Sequence, residues 1–306
     1  MAMPTAAAAA TNMGTGNSRT LVWLITGCSS GLGLALVRYA LSKGHIVVAT
    51  SRNPSKTPGL ATEVEGLGGK WLTLDTTKSE QEIKATIQQA ESLFGRIDVL
   101  VNNAGYCVLG ALEDIPDEEV VAQMRTNFLG PLRLMKAVLP EMRKRRSGVI
   151  LNVSSTQGLC PSLGCSIYAA SKAALEAASQ ACSSEVAPFG IRVLIVEPGA
   201  FRTGFALTDV AKYIQPSEEY AGPHPVGQRL DQIQRLPGLA AGDPSKAARV
   251  MFNAVTGEGD AGSLIKQTGL LRVILGPDCW RRVNEQVNEL RRTADLLKDI
   301  AASTDF

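Results

Sequence analysis

A tyrosine and a lysine four residues apart are the first feature of this sequence that could do chemistry. Tyr168 and Lys172 lie in the run Tyr168-Ala-Ala-Ser-Lys172-Ala-Ala-Leu-Glu, whose alanine-rich composition favours a helix. Residues four apart on a helix are neighbours on one face. An ammonium group beside a phenol stabilises the phenolate, so we expect the pKa of Tyr168 to fall below its ordinary value of about 10. The pair is therefore suited to exchanging a proton with a carbonyl or an alcohol.

A serine lies where it could hold the same reacting oxygen. Ser155 follows the apolar run Gly148–Val153, which predicts a buried strand. Open α/β sheets bind their ligands at the carboxyl ends of the strands, where this hydroxyl would lie. Plainer interpretations stay open, because a helical Tyr/Lys pair is also typical of a half-exposed face and two consecutive serines of a turn. A second functional site in the sequence is needed before Ser155, Tyr168 and Lys172 can be interpreted as a catalytic set.

A glycine-rich turn near the start of the chain supplies that second site. The run Gly27-Cys-Ser-Ser-Gly31-Leu-Gly33 comes directly after an apolar strand pattern and before a helical one. Glycines in this context let the backbone approach a pyrophosphate at the positive end of the helix. Their spacing is GxxxGxG and not the more common GxGxxG. The run predicts a dinucleotide site.

The end of the second strand discriminates between two dinucleotides. An acidic residue there would bind the adenosine ribose hydroxyls, but the chain reads Thr50-Ser51-Arg52-Asn53. An arginine can clamp a phosphate through two donors, so this pattern favours NADPH or NADP+ over NADH. A solvated arginine in a loop is the alternative.

Strand and helix patterns alternate along the chain from Thr20. Strands are predicted over residues 21–25, 45–50, 71–74, 97–101, 149–153, 191–196 and 270–275. Helices are predicted from the glycine turn to about residue 42, over 80–94, over 118–143 with a kink near Gly130-Pro131, from about 168, and over 244–255 and 278–301. This order predicts an α/β fold with one doubly wound Rossmann-type parallel sheet flanked by helices.

Two segments fall outside the alternation. Residues 200–242 are rich in Gly, Pro and polar groups, which is typical of a substrate lid after the sixth strand. Residues 1–18 are rich in Ala, Thr, Gly and Asn and predict a disordered tail. The remainder, 19–306, is expected to form a single NADP-binding domain.

Composition excludes several classes of function. The 306 residues include 31 Lys and Arg against 29 Asp and Glu, so a formal charge of +2 offers no case for binding nucleic acid or an anionic membrane. Six cysteines without CxxC spacing and only two histidines argue against a metal site. No apolar run approaches the ~18 residues of a membrane span. We expect a cytoplasmic protein with reduced thiols.

The sequence resembles the short-chain dehydrogenase/reductase family over residues 21–203. The motifs that carry the resemblance, in order, are Thr26-Gly27-Cys-Ser-Ser-Gly31-Leu-Gly33, Asn102-Asn-Ala-Gly105, Asn127, Ser155, Tyr168-Ala-Ala-Ser-Lys172, and Pro198-Gly199 with Thr203. The remaining portion, including Leu275-Gly276-Pro-Asp278 and Ser303-Thr-Asp-Phe306, is similar to the 17β-hydroxysteroid-dehydrogenase-like oxidoreductases of microbes.

The resemblance implies a role for each member of a catalytic set. Tyr168 would be the general acid in reduction and the general base in oxidation. Lys172 would lower the pKa of Tyr168 and bind the nicotinamide ribose, and Ser155 would orient the carbonyl. Asn127 would hold a water that links Lys172 to solvent.

The resemblance also implies a cofactor set. Asp75 would contact adenine, Asn102 would lie near the adenosine-side ribose, and Thr203 with the Phe201 backbone would hold the carboxamide and phosphate. Phe201 stands where the family usually has valine, which could crowd the nicotinamide pocket. The predicted cofactor-binding residues are Gly27, Ser29, Ser30, Gly31, Leu32, Gly33, Ser51, Arg52, Asp75, Asn102, Ala104, Tyr168, Lys172, Phe201 and Thr203.

The leading functional hypothesis is an NADPH-dependent carbonyl reductase that acts on a ketone or aldehyde of an apolar small molecule, without a metal. The alternatives are an NAD(P)+-dependent alcohol dehydrogenase working in the oxidative direction and a cofactor-binding protein without redox activity. Cys160 and Cys165, between the catalytic serine and tyrosine, are expected to be packing or pocket-lining thiols. A homodimer or homotetramer through the helices 118–143 and 168–185 is implied by the resemblance alone.

Overall fold

The structure is a computed structural model that describes residues 19–206 and 210–305. The disordered tail predicted over residues 1–18 lies outside the described residues. The strands are β1 Val22–Ile25, β2 Ile46–Ser51, β3 Lys70–Thr73, β4 Val99–Asn102, β5 Cys107–Leu109, β6 Gly148–Val153, β7 Ile191–Pro198, β8 Ala211–Tyr213 and β9 Arg272–Leu275. The helices are α1 Gly31–Ser42, α2 Pro58–Gly66, α3 Glu80–Phe94, α4 Asp117–Met124, α5 Gly130–Lys144, α6 Thr156–Leu159, α7 Ser166–Val186, α8 Pro225–Leu239, α9 Pro244–Thr256, α10 Gly259–Thr268 and α11 Pro277–Ala302.

Seven strands of the described chain form one parallel sheet in the order β3-β2-β1-β4-β6-β7-β9. Parallel pairing requires a crossover between consecutive strands, and the helices of those crossovers cover both faces of the sheet. The strand order reverses between β1 and β4, which is the point where such sheets bind ligands. The predicted α/β fold with a doubly wound Rossmann-type sheet is confirmed.

The predicted strands all form, with ends within one or two residues of those expected. The pair β5 and β8 was not predicted, because three-residue strands are too short to show periodicity; they form a separate parallel sheet. The segment 200–242 contains β8 and α8, so it is more ordered than its composition indicated. Its signal was present, since Val226, Leu230 and Ile233 have helical spacing and are buried.

The helix predicted over 118–143 is interrupted by a π-helical turn, Arg125–Leu129, between α4 and α5. Pro131 explains the interruption, because it has no N–H and its ring would clash with the carbonyl of Asn127, four residues earlier. Gly130 lies close to the end of β3, where a Cβ would be 2.7 Å from the Thr76 carbonyl oxygen. The kink expected near Gly130-Pro131 therefore takes the form of a widened turn just before it.

Apolar side chains fill both faces of the sheet. On one face Trp23 is fully buried and stacks on Phe252 of α9, with ring centroids 5.4 Å apart. On the other face Leu24 and Ile150 lie in a cluster with side chains of α3 and α5. A third cluster joins α8 and the pair β5/β8 to Tyr168. Segment 200–242 is thus packed directly onto α7, the helix that carries Tyr168.

Across the described ranges, no helix has the length and apolar content needed to cross a membrane.

Candidate active site

The turn after β1 is shaped by glycines and held by Asn103. Gly27 and Gly31 have φ of 70° and 59°, a region that favours glycine, and a Cβ on Gly27 would lie 2.8 Å from the Ala104 Cα. The Asn103 side chain donates from Nδ2 to the Thr26 carbonyl oxygen at 2.9 Å. The turn therefore presents bare backbone at the N-terminus of α1.

A crevice of about 670 Å³ opens at this turn and extends across the carboxyl ends of the strands. That volume lies within the range of small-molecule sites, roughly 300–1,000 Å³. Most of the predicted site residues line it together: Gly27, Ser29, Ser30, Gly31, Leu32, Ser51, Arg52, Ala104, Ser155, Tyr168, Lys172, Phe201 and Thr203. The two sites predicted separately from the sequence are thus two parts of one cavity.

Three predicted cofactor residues have other partners. The Asn102 side chain is buried and donates to Asn152 Oδ1 at 2.7 Å, so it joins β4 to β6, and its predicted place near the adenosine-side ribose stays a prediction. Asp75 Oδ1 accepts from the backbone N–H and hydroxyl of Thr77, at 2.9 and 2.8 Å. Gly33 faces the turn and not the crevice, since a Cβ there would lie 2.5 Å from Asn103 Nδ2.

Tyr168 and Lys172 share one buried face of α7, as their spacing predicted. Tyr168 is 7% exposed and Lys172 is 4% exposed. Lys172 Nζ lies 5.9 Å from the Tyr168 ring centroid and donates to the Val153 carbonyl oxygen at 2.8 Å. The lysine is therefore anchored to the end of β6, on the side of the crevice that carries the phenol.

The pKa of Tyr168 moves opposite to the sequence prediction. Burial and the neighbouring Cys107 raise it above its ordinary value, while the hydrogen bond with Ser155 lowers it. Burial lowers the pKa of Lys172 to about 8, against the charge of Glu176, which raises it. The prediction was wrong because it took account of the lysine charge and not of the burial of both groups.

Ser155 connects β6 to the tyrosine. Its backbone is extended and it is the N-cap of α6, where Oγ accepts from the Gln157 N–H at 3.2 Å. The same hydroxyl is hydrogen-bonded to Tyr168. Two hydroxyl groups therefore meet in the crevice, where they can hold one carbonyl oxygen.

Asn127 lies in the π-helical turn and does not line the crevice. Its Nδ2 donates to the Tyr106 carbonyl oxygen at 2.9 Å and to Ser171 Oγ at 3.1 Å. Gly105 leaves space beside it, because a Cβ there would lie 3.1 Å from Asn127 Oδ1 and 3.6 Å from Lys172 Nζ. The water predicted to link this asparagine to the lysine stays a prediction.

Several crevice residues were not predicted. Leu74 and Thr76 line it on either side of Asp75. The Asp278 carboxylate, at the start of α11, accepts from the Ala200 N–H at 2.9 Å. The sequence signal for Asp278 was the run Leu275-Gly276-Pro-Asp278, whose contact with residue 200 no local pattern could show. Arg229 and Arg282 also line the crevice.

The residues present fit a dinucleotide. The N-terminus of α1 and the bare backbone at Gly27 and Gly31 suit a pyrophosphate. The Arg52 guanidinium is exposed at the end of β2 and lines the same crevice. Among the residues that the structure describes, no group of three or more His, Cys, Asp and Glu could hold a metal ion.

Fold and site together define a class of protein. The family model for short chain dehydrogenase matches residues 21–213, which is more than half of the chain. The protein therefore belongs to the short-chain dehydrogenase family and is an oxidoreductase of that family.

Known proteins resemble it over most of its length. Oxidoreductase claN of Passalora fulva is 45% identical over 227 residues, which are 72% of this chain and 97% of that protein. A short-chain dehydrogenase from Streptomyces avermitilis has a crystal structure that is 34% identical, with a TM-score of 0.81 over 94% of this chain and 98% of that one. A metagenomic short-chain oxidoreductase in complex with NADP is 26% identical, with a TM-score of 0.64 over 85% of this chain and 98% of that one.

Proposed function

We propose that this protein is an NADPH-dependent carbonyl reductase that reduces a ketone or aldehyde of a largely apolar small molecule. The observation that supports this most strongly is the meeting of Ser155, Tyr168 and Lys172 in a crevice that also contains the glycine turn and Arg52. The Ser155 and Tyr168 hydroxyls and the dinucleotide site can take part in one reaction only if the substrate oxygen and the cofactor bind in the same cavity.

Different residues of the crevice would bind different parts of the cofactor. The backbone of the glycine turn would hold the pyrophosphate, and Thr203 with Phe201 the carboxamide end. Arg52 and Ser51 would hold the ribose 2′-phosphate, which distinguishes NADPH from NADH. Bound reduced nicotinamide supplies a hydride to the substrate carbon.

The acidity of Tyr168 favours the reductive direction. Burial raises the pKa of its phenol, so the group carries its proton at neutral pH. A protonated phenol is an acid that can give its proton to an oxygen gaining negative charge. Ser155 donates a second hydrogen bond to the same oxygen and orients the carbonyl.

Lys172 supports this proton transfer from one helical turn away. Burial lowers the pKa of its ammonium group to about 8, so the group is still mostly charged at neutral pH. Its anchoring bond to Val153 uses one of three donors. The positive charge stabilises the phenolate that Tyr168 becomes after it releases its proton.

The substrate end of the crevice has a largely apolar wall. Cys107, Leu109, Phe205 and Ile233 line it, and the Phe205 ring centroid lies 5.9 Å from that of Tyr168. Burial raises the pKa of Cys107 to about 12, so this thiol is an inert lining group. An apolar group on the substrate would pack beside the phenol.

The test is a panel of ketones and aldehydes with NADPH, comparing the wild type with Tyr168→Phe. Loss of the proton donor is expected to reduce kcat/KM by about 100-fold or more, while the dissociation constant for NADPH stays within twofold. Tyr39→Phe is the matched control, because Tyr39 lies on α1 away from the crevice, and it is expected to keep full activity.

Near-normal turnover by Tyr168→Phe would overturn the assignment of the acid. Tight NADPH binding by the wild type without oxidation by any carbonyl in the panel would overturn the reductase itself. Efficient oxidation of the corresponding alcohols alone would favour the oxidative alcohol dehydrogenase.

A further inference from the structure

Two arginines from different helices reach the substrate end of the crevice. Arg229 of α8 and Arg282 of α11 both line it, and both are half-buried. Burial raises the pKa of the Cys165 thiol, and the positive charges of both arginines oppose that effect. Cys165 is the N-cap of α7, three residues before Tyr168. The charges of both guanidinium groups therefore influence the same part of the crevice wall, at Cys165 and close to the proposed acid, Tyr168.

Neither guanidinium is neutralised by a carboxylate within the described part of the chain. Arg229 Nη1 has Gln232 Oε1 as its acceptor, at 3.4 Å. Arg282 Nη2 donates to the Cys160 carbonyl oxygen. These acceptors are neutral and leave most of the five N–H donors of each arginine unused.

The other charged groups on this wall have partners of their own. Lys212 forms an ion pair with Glu119. The Asp278 carboxylate accepts from the Ala200 N–H, and it fills the space that a Cβ on Gly199 would need. Two guanidinium groups therefore lie in this wall against the single carboxylate of Asp278, so positive charge is in excess where the rest of the wall is apolar. A half-buried, unpaired guanidinium attracts an anion more strongly than an exposed one.

We propose that the substrate carries a carboxylate in addition to its carbonyl group, and that Arg229 and Arg282 bind that carboxylate. This inference rests on the proposed reductase function and specifies its substrate class as an oxo acid with an apolar body. The planar guanidinium group matches a carboxylate through paired hydrogen bonds. Because the two arginines come from α8 and α11, binding would also hold these helices together over the occupied crevice.

The test compares 4-benzoylbutyrate with its methyl ester, which has the same ketone and acyl chain but carries a methyl group in place of the negative charge. With NADPH and the wild type, kcat/KM is expected to be higher for the acid by about tenfold or more, the effect of one charged hydrogen bond. Arg229→Gln and Arg282→Gln are each expected to raise KM for the acid and to reduce the ratio of kcat/KM for the acid to that for the ester by about tenfold. Turnover of the ester also reports that each variant is folded.

Arg235→Gln on α8 and Arg281→Gln on α11 are matched controls, since both arginines are exposed and neither lines the crevice. Both controls are expected to keep the preference for the acid. If neither compound is reduced, their dissociation constants for the NADP+-loaded protein replace kcat/KM. Equal or better use or binding of the ester by the wild type would overturn the oxo-acid inference and leave the reductase intact, whereas inactivity with every carbonyl compound would overturn the reductase.

Discussion

Tyr168 and Lys172 are both nearly fully buried, and burial moves their pKa values in opposite directions. Each group is shifted toward its neutral form, because removal from water penalises charge. The phenol therefore keeps its proton at neutral pH, and the lysine ammonium donates to the Val153 carbonyl. In the proposed reductase, these shifts favour proton transfer from Tyr168 to the substrate oxygen.

Another residue-scale prediction concerns the choice of cofactor. Arg52→Gln is expected to weaken NADPH binding by about 10- to 100-fold, because a charged hydrogen bond to the 2′-phosphate is lost. NADH lacks that phosphate, so its dissociation constant should not change. Titration of both cofactors by tryptophan fluorescence measures this, with Lys84→Gln at an exposed position of α3 as the charge-matched control. If Arg52→Gln weakened the binding of NADPH and NADH equally, Arg52 would not be the residue that recognises the 2′-phosphate.

At the scale of elements, the glycine turn works because β1, α1 and the end of β4 approach one another closely. Thr26 Oγ1 accepts the N–H groups of Asn103 and Ala104, at 3.0 and 2.9 Å, and donates to the Val101 carbonyl oxygen. Gly33 lets the first turn of α1 lie against this junction. The helix N-terminus is positioned by these contacts and not by the turn alone.

Gly33→Ala tests that packing. The added Cβ would meet Asn103 Nδ2 at 2.5 Å, so we expect a loss of about 1–3 kcal/mol in the free energy of unfolding and weaker NADPH binding. Gly59→Ala in α2 is the control, because a Cβ there meets nothing within 4 Å, and it should be neutral or stabilising by up to about 1 kcal/mol. Urea denaturation of both variants and of the wild type measures the change in the free energy of unfolding. If Gly33→Ala behaves like Gly59→Ala, the close approach is not required.

At the scale of the whole molecule, a buried ionic cluster joins β9 to α7, the helix that carries Tyr168 and Lys172. Arg272 of β9 forms an ion pair with Glu176 of α7 at 2.6 Å and another with Glu197 of β7. Ser154 Oγ donates to Glu176 at 2.5 Å. Two carboxylates thus share one cation, and Glu197 Oε2 is buried without a hydrogen-bond partner in the described chain. The cluster lies one helical turn from Lys172.

Glu197 should make the stability of the fold depend on pH. Burial, together with the charge of Glu176, raises its pKa from 4.5 to about 7. A carboxyl whose pKa is higher in the folded state favours folding fully below its unfolded pKa, and this contribution is lost as pH rises through the folded value. The free energy of unfolding of Glu197→Gln minus that of the wild type should therefore grow by about 3 kcal/mol between about pH 4 and pH 8.

Urea denaturation across this pH range measures the difference, and Glu285→Gln on the exposed face of α11 is the control. The control should show no such trend. A difference between Glu197→Gln and the wild type that does not vary with pH would contradict the shared-cation description of the cluster.

Local sequence patterns were enough to predict much of the fold and part of the candidate site. The apolar runs and their alternation with helical periodicity were enough to predict the parallel sheet, because burial on both faces imposes them on each strand separately. The spacing of Tyr168 and Lys172 and the position of the glycine turn were also readable, since helical geometry and the freedom of glycine act within a few residues.

Tertiary structure decided what depends on distant partners. The Asn102 amide could not be assigned from sequence, because its partner, Asn152, is 50 residues away. Asp278 meets Ala200 across 78 residues, and the convergence of Arg229 and Arg282 depends on how α8 and α11 pack. The direction of the Tyr168 pKa shift also depends on the tertiary structure. Its spacing from Lys172 is a local property, whereas the exclusion of water that raises the pKa comes from the surrounding fold.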